Sequence, residues 1–108
     1  MADQLLALVP IARAAFEVAA KELSALQEAD AGLRREVDEV SRVPAVASGA
    51  DLAVSARYVA WQRGRVRELQ MQRAGLAVEI DVARAATARA FGRWQVLEEL
   101  SLGVRPRR

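Results

Sequence analysis

The chain has 108 residues, of which 16 are basic and 14 acidic, so its net charge is only +2. This length fits one small domain at most. Ala supplies 23 of the apolar residues, and the remaining large side chains are too few for a broad core around a pocket. Cys and His are both absent. Their absence excludes disulfide scaffolds, thiolate or imidazole metal sites, and Ser–His or Cys–His nucleophiles.

In chain order, the sequence predicts a first helix over about residues 3–40, a turn at about 41–50, a second helix over about 51–101 and a basic tail over 102–108. Both helical stretches are rich in Ala, Leu, Glu, Gln and Arg, which are strong helix formers. Capping and breaking residues support these boundaries. They are Asp3, Pro10, Pro44, Gly49, Asp51, Gly103 and Pro106. No apolar run is long enough to cross a bilayer, and no signal peptide is expected.

A heptad pattern marks one apolar side on each predicted helix. In the first helix, ten of eleven heptad positions are apolar: Leu5, Val9, Ala12, Phe16, Ala19, Leu23, Leu26, Leu33, Val37 and Val40, with Asp30 the exception. In the second helix, ten of fourteen are apolar, and Ser55, Gln62, Arg73 and Thr87 interrupt them. A sustained period of 3.5 residues is typical of a coiled coil. The predicted fold is therefore all-α: two long helices in an antiparallel coiled-coil hairpin.

The segment Ser41–Gly49, which contains Pro44 and Gly49, is called the breaker cluster. A turn centred on it predicts which residues of the two helices face each other. Placing it near residue 47 sets Phe16 near Ile80, and Asp30 near Gly64, between two arginines. A carboxylate in the seam, the line of contact between the two helices, can fix the register of a coiled coil when arginines lie beside it. In this register Trp94 and its neighbours extend past the start of the first helix, which leaves them with little to cover them.

The charges divide unevenly between the two halves of the chain. Residues 1–50 carry five basic and eight acidic groups, whereas residues 51–108 carry eleven and six. Arginines crowd the start of the second helix, but the acidic first helix lies alongside and no motif that reads DNA is present. Nucleic acid is therefore not the expected partner, and docking to an acidic protein is favoured. The carboxylates are spaced as on a solvated helix face, so no catalytic site, cofactor or metal is expected.

Two aromatic pairs and three single glycines are candidates for more than packing. Tyr58 and Trp61 are three residues apart near the turn, and Phe91 and Trp94 are three apart near the far end. Each pair lies on one face of a helix, and partly exposed aromatics indicate an interaction patch. Gly64, Gly75 and Gly92 lie singly inside the second helix, where close helix packing or a surface approached by another protein could explain them.

Residues of the second helix resemble the flagellar FliJ family. The resemblance rests on Ala56-Arg-Tyr-Val-Ala-Trp-Gln-Arg63, on Leu69-Gln-Met-Gln, and on the basic Ala-rich run from Ala83 that ends in Leu97-Glu-Glu-Leu100. Members are cytoplasmic, non-enzymatic coiled coils of the type III protein export apparatus, peripheral to the flagellar basal body at the inner membrane. The resemblance implies a stalk that couples the export ATPase hexamer to the export gate protein, serves motility, and acts as a chaperone-like escort of substrates.

The resemblance assigns the partner-binding residues to two groups in the second helix. Near the turn, Arg57, Tyr58, Trp61 and Arg65 would face the gate or another partner; near the termini, Phe91, Arg93, Trp94 and Leu97 would enter the ATPase ring. Two alternatives stay open. One is a self-assembling or secreted helical-hairpin protein unrelated to flagella, which could form a homo-oligomer through the exposed apolar end of the second helix. The other is a regulator that binds nucleic acid.

Overall fold

The computed structural model describes residues 2–42 and 52–104, and all of them are helical. Helix α1 spans Ala2–Arg42 and helix α2 spans Leu52–Val104. The all-α helical hairpin predicted from the heptad pattern is therefore confirmed. Both helices extend further than predicted, because Ser41 and Arg42 continue α1 and Gly103 continues α2 instead of ending it. The predicted Asp51 cap, most of the turn and the last four residues of the tail lie outside the described residues.

Pro10 lies in the third turn of α1, later than the first turn where proline is best tolerated. It has no N–H to donate to the carbonyl oxygen of Leu6. Its side chain is exposed, so its ring takes no space from the contact between the helices. Asp3, predicted as a possible cap, lies within the first turn of α1, where its negative charge complements the helix dipole.

The chain divides into two compact units, and both helices contribute to each. Unit 1 comprises Met1–Leu26 and Glu79–Arg108, and unit 2 comprises Gln27–Val78. In unit 2, Asp30 contacts Arg73 and Glu36 contacts Arg65, so numbers rise on one helix as they fall on the other. In unit 1, Phe16 contacts Phe91, and Val9 lies beside Ser101. The helices are therefore antiparallel within each unit.

The heptad positions form the contact between the helices. All eleven of those in α1 are partly shielded from solvent, and in α2 all but Leu52 are buried or half-buried. The largest fully buried side chain is Leu69 in unit 2, and the core of unit 1 includes Ile80 and Ala83. Small side chains at many of these positions keep the core thin, as the Ala-rich composition predicts.

Three of the four polar residues that interrupt the heptads of α2 have hydrogen-bond partners in the seam. The Gln62 amide donates to the carbonyl oxygen of Val40, and the Thr87 hydroxyl donates to the carbonyl oxygen of Ala83. Arg73 donates from Nε to Asp30 at 2.9 Å. A polar group in a partly dry contact costs little once it is paired, so these interruptions are compatible with the coiled coil.

The predicted register between the helices is wrong. Asp30 pairs with Arg73 instead of lying near Gly64, and Phe16 contacts Phe91 instead of Ile80. Centring the turn on the breaker cluster assumes that the end of α1 and the start of α2 lie equally far from each pair of facing residues. In unit 2 they are not: Val40 and Gln62 are paired, yet α1 ends two residues after Val40 while α2 begins ten residues before Gln62.

The glycines inside α2 are not explained by close packing of the two helices. A Cβ atom added at Gly64, Gly75 or Gly92 would meet no other atom within 4 Å. The expectation of close helix approach at these positions is therefore wrong. Approach by another protein stays a prediction.

Candidate protein-binding surfaces

An aromatic pair marks the exposed side of α2 in unit 2. The rings of Tyr58 and Trp61 lie 5.7 Å apart at a tilt of 41°. Tyr58 is half-buried, whereas 54% of Trp61 is exposed to solvent. An indole held in place by a neighbouring ring and open on its other side loses little side-chain entropy when a partner covers it.

The arginines near this pair fall into two classes. Arg65 contacts Glu36 on α1 at 3.1 Å and Glu68 on its own helix at 3.3 Å. Its guanidinium therefore joins the two helices of unit 2. Arg57, Arg63 and Arg67 are exposed, and none of them has an ion-pair partner among the described residues. These three arginines leave positive charge available to an acidic partner.

A cavity of about 490 Å³ lies in unit 2 beside two of these unpaired arginines. Its lining combines Ser41, Val59, Gln62, Arg63, Val66 and Arg67. Arg63 and Arg67 are one helical turn apart, so their side chains lie on the same face of α2. The lining therefore combines two arginines with two valines, Val59 and Val66. Such a lining suits a protein segment that presents both apolar and acidic side chains.

Three aromatic rings from both helices meet in unit 1. Phe16 of α1 lies 5.3 Å from Phe91 and 5.6 Å from Trp94, and it stacks on Trp94 at an angle of 25°. Phe91 and Trp94 meet edge to face at 6.0 Å. The guanidinium of Arg13 lies 5.8 Å from the centre of the Trp94 ring, a cation–π contact. We call Phe16, Phe91 and Trp94 the aromatic cluster.

The position of Trp94 differs from the one expected from the sequence. It was expected past the start of α1 with little to cover it, but Phe16 and Arg13 cover it. The difference follows from the register, which places α1 alongside this part of α2. Trp94 Nε1 is buried and has no hydrogen-bond partner among the described residues, so the indole packs as a hydrocarbon surface with an unmet donor.

An apolar groove of about 170 Å³ lies between the helices of unit 1. Its lining is formed by Leu8, Ile11, Ala12, Ala15, Ala90, Arg93 and Leu97. We call these residues the unit 1 groove. Arg93 is its one charged lining residue, and it has no ion-pair partner among the described residues.

The residues predicted to bind partners are placed at four locations. In unit 2, Arg57, Tyr58 and Trp61 are near the exposed indole, while Arg65 is engaged between the helices. In unit 1, Phe91 and Trp94 belong to the aromatic cluster, and Arg93 and Leu97 line the groove. Sequence reasoning missed the α1 side of both features: Arg13, Phe16, Leu8 and Ile11. The apolar residues that flank the heptad positions of α1 could have indicated the groove.

Ionisable groups with a perturbed pKa occur where the helices pair. The hydrogen bond from Arg73 lowers the pKa of the Asp30 carboxyl below its ordinary value of 3.8, and the same bond raises the pKa of Arg73. This pair holds the helices together and is charged at neutral pH. Residues 2–42 and 52–104 include no group of three His, Cys, Asp or Glu side chains placed to hold a metal ion. Neither described helix has a segment apolar and long enough to cross a membrane.

Comparison of the chain with protein-family models, with curated proteins and with solved structures finds no match in any of the three.

Proposed function

We propose that this chain is a non-enzymatic coiled-coil stalk and adaptor of the flagellar type III protein export apparatus. In this role it acts in the cytoplasm at the base of the flagellum and couples the export ATPase hexamer to the export gate protein, and it escorts export substrates. The antiparallel hairpin supports the proposal, because it is the architecture that the resemblance of α2 to the FliJ family implies. The partners and the location come from that resemblance.

One observation carries the adaptor role: the two units expose surfaces of different chemistry. Unit 2 presents the exposed Trp61 indole with three arginines that have no ion-pair partner in the part of the chain that the structure describes. Unit 1 presents an apolar groove with the single cation of Arg93. Because interface energy concentrates in a few aromatic, apolar and arginine side chains, each surface has what it needs to bind its own protein. A chain with two such surfaces can connect two proteins that do not contact each other.

The test measures binding of each partner separately. The full chain is titrated, by isothermal titration calorimetry, with the export ATPase hexamer and with the soluble domain of the gate protein. We expect Trp61→Ala to weaken gate binding about tenfold or more and to leave ATPase binding unchanged, whereas Leu97→Ala does the reverse. Met71→Ala and Glu99→Gln are the matched controls, because both residues are exposed and lie in units 2 and 1 respectively.

Two results would overturn the proposal. The first is that neither export protein binds the unaltered chain. The second is that both bind, but that Trp61→Ala and Leu97→Ala behave as the controls do. Circular dichroism of each variant shows whether the helices remain intact, so that a loss of binding is not a loss of fold.

A further inference from the structure

The unit 1 groove has a lining that is apolar except for Arg93, and it is open to solvent. Ala12 and Ala90 are half-buried at its base, while Leu8 and Ile11 stand at its edge and 63% of Ile11 is exposed. On α1 an exposed aliphatic side chain continues on the same side as Ile11 at Val18, seven residues further along. An exposed apolar surface of this kind marks a site covered by another protein.

The dimensions of the groove fit a helix. Its lining runs from Leu8 to Ala15 on α1 and from Ala90 to Leu97 on α2, which is two turns or about 10 Å on each helix. Three of its seven lining residues are alanines, whose small side chains leave space for side chains inserted from outside. A partner helix would place apolar side chains three and four residues apart into this space, as in other helix-in-groove complexes.

The charge of the groove defines its occupant further. Arg93 lines the groove midway between Ala90 and Leu97 and has no ion-pair partner among the described residues. An occupant that covered this guanidinium with apolar atoms alone would remove water from a charge and give nothing in return. An occupant with a carboxylate at this point replaces the water by a charge-assisted hydrogen bond.

A second copy of this chain fits the groove poorly. In a symmetric pair, each copy presents the same surface to the other. Arg93 lies near the middle of the groove, so a two-fold axis through the groove brings the two Arg93 side chains towards each other, and like charges repel in a partly dry contact. The groove therefore favours a different protein over self-association.

From these observations we propose that the unit 1 groove binds an amphipathic helix of a partner protein, with apolar side chains on one face and a Glu or Asp that pairs with Arg93. This deepens the proposed function and rests on it, since unit 1 is the surface assigned there to a protein partner. The new element is the chemistry of the segment that this surface receives.

The test uses designed peptides and the full chain. Three fluorescein-labelled, end-capped, Ala-based peptides of 18 residues carry Leu at positions 6, 9 and 13 and differ only at position 10, which is Glu, Gln or Lys. Fluorescence anisotropy measures their affinity for the chain. We expect the Glu peptide to bind most tightly, and Arg93→Gln to weaken it about fivefold without changing the affinity of the Gln peptide.

Charge reversal makes the test specific. Arg93→Glu is expected to bind the Lys peptide more tightly than the Glu peptide, which a merely structural role of Arg93 does not predict. Arg89→Gln is the matched control, because Arg89 is an exposed arginine one turn away that does not line the groove and has no ion pair within residues 2–42 and 52–104. Ile11→Asn is expected to weaken all three peptides, because it puts an amide at the apolar edge.

Three outcomes of the peptide titrations would overturn the inference: none of the peptides binds below about 1 mM, the affinities do not depend on the charge at position 10, or Arg89→Gln has the same effect as Arg93→Gln. Sedimentation that shows a dimer broken by Ile11→Asn would assign the groove to a second copy and also overturn it. If the export proteins bind as proposed but the peptides do not, only this inference fails. If the peptides follow the charge rule but neither export protein binds, only the export function fails.

Discussion

The two units join the same pair of helices with different chemistry. In unit 1 the helices are joined by the aromatic cluster, in which Phe16 of α1 meets two rings of α2, and around the buried Ile80 and Ala83. In unit 2 the helices are joined by Asp30 with Arg73, by Glu36 with Arg65, and around the buried Leu69. Ring contacts depend on shape and persist in salt, whereas half-exposed ion pairs depend on charge and are screened.

This difference shows how a thin, Ala-rich seam can still specify one register. Small side chains at heptad positions pack nearly equally well after a shift of seven residues, so they select an alignment weakly. Three rings of fixed size in unit 1, and a carboxylate opposite one arginine in unit 2, each fit at one alignment only. Each unit therefore has its own register determinant, and mutations can test the two separately.

The largest expected effect comes from the core of unit 2. Leu69 is 1% exposed, and Leu69→Ala leaves a cavity that the surrounding small side chains fill poorly. We expect a loss of about 2–4 kcal/mol in the free energy of unfolding. Urea denaturation followed by circular dichroism measures it. Met71→Ala, at an exposed position two residues away, is the control and should change stability by less than about 0.5 kcal/mol.

The next effect tests the aromatic cluster of unit 1. Phe16→Ala removes both ring contacts to α2, and because Phe16 is half-buried we expect a loss of about 2–3 kcal/mol. The near-ultraviolet circular dichroism of Trp94 should fall at the same time, since its stacking partner is gone. Phe16→Leu restores volume without a ring. If it matched the unaltered chain in stability and in the Trp94 signal, the rings would not be the determinant.

The sequence predicts the seam well because a heptad pattern is local to each helix. Every heptad position of α1 lies against the contact, and even Asp30 and Arg73, which break the apolar pattern, are where the pattern places them. The alignment between the helices is not local, so it could not be predicted from the breaker cluster. The aromatic cluster was missed for the same reason: Phe16 joins Phe91 and Trp94 only after the register is known.

Smaller effects, of equal size in both units, are expected at the glycines of α2. Gly64 in unit 2 and Gly92 in unit 1 have open space where a Cβ would be, so Gly64→Ala and Gly92→Ala should each stabilise the chain by about 0.5–1 kcal/mol. Thermal unfolding of each variant measures this. A destabilising result in one unit would show a backbone constraint there and would make the units differ in more than their seams.

Replacing Trp94 by Phe should lower the free energy of unfolding by less than the lost ring area suggests. Trp94→Phe loses part of the ring area that packs on Phe16, but it also removes the buried Nε1 donor that has no partner among the described residues. The two effects oppose each other, so we expect a change of less than about 1 kcal/mol in the free energy of unfolding, against about 2–3 kcal/mol for Trp94→Ala. A loss as large as that of the alanine variant would mean that the indole N–H is satisfied in solution.

The smallest expected effect is a pH dependence of stability that arises from Asp30 in unit 2 and has no counterpart in the aromatic cluster of unit 1. Because the hydrogen bond from Arg73 lowers the pKa of Asp30 in the folded chain, the carboxylate contributes stability above its ordinary pKa of 3.8. That contribution is lost as the pH falls through the lowered value. Asp30→Asn should therefore lower the melting temperature at pH 7 and lose this effect near pH 2.

Salt concentration and the variant Phe16→Leu separate the ionic contribution of unit 2 from the aromatic contribution of unit 1. Both side chains of the Asp30–Arg73 pair are more than a quarter exposed, so 1 M NaCl should shrink the effect of Asp30→Asn at pH 7. The difference caused by Phe16→Leu should stay the same across these pH values and salt concentrations, because ring packing carries no charge. If the two variants responded alike to pH and salt, the division into an aromatic seam and an ionic seam would be wrong.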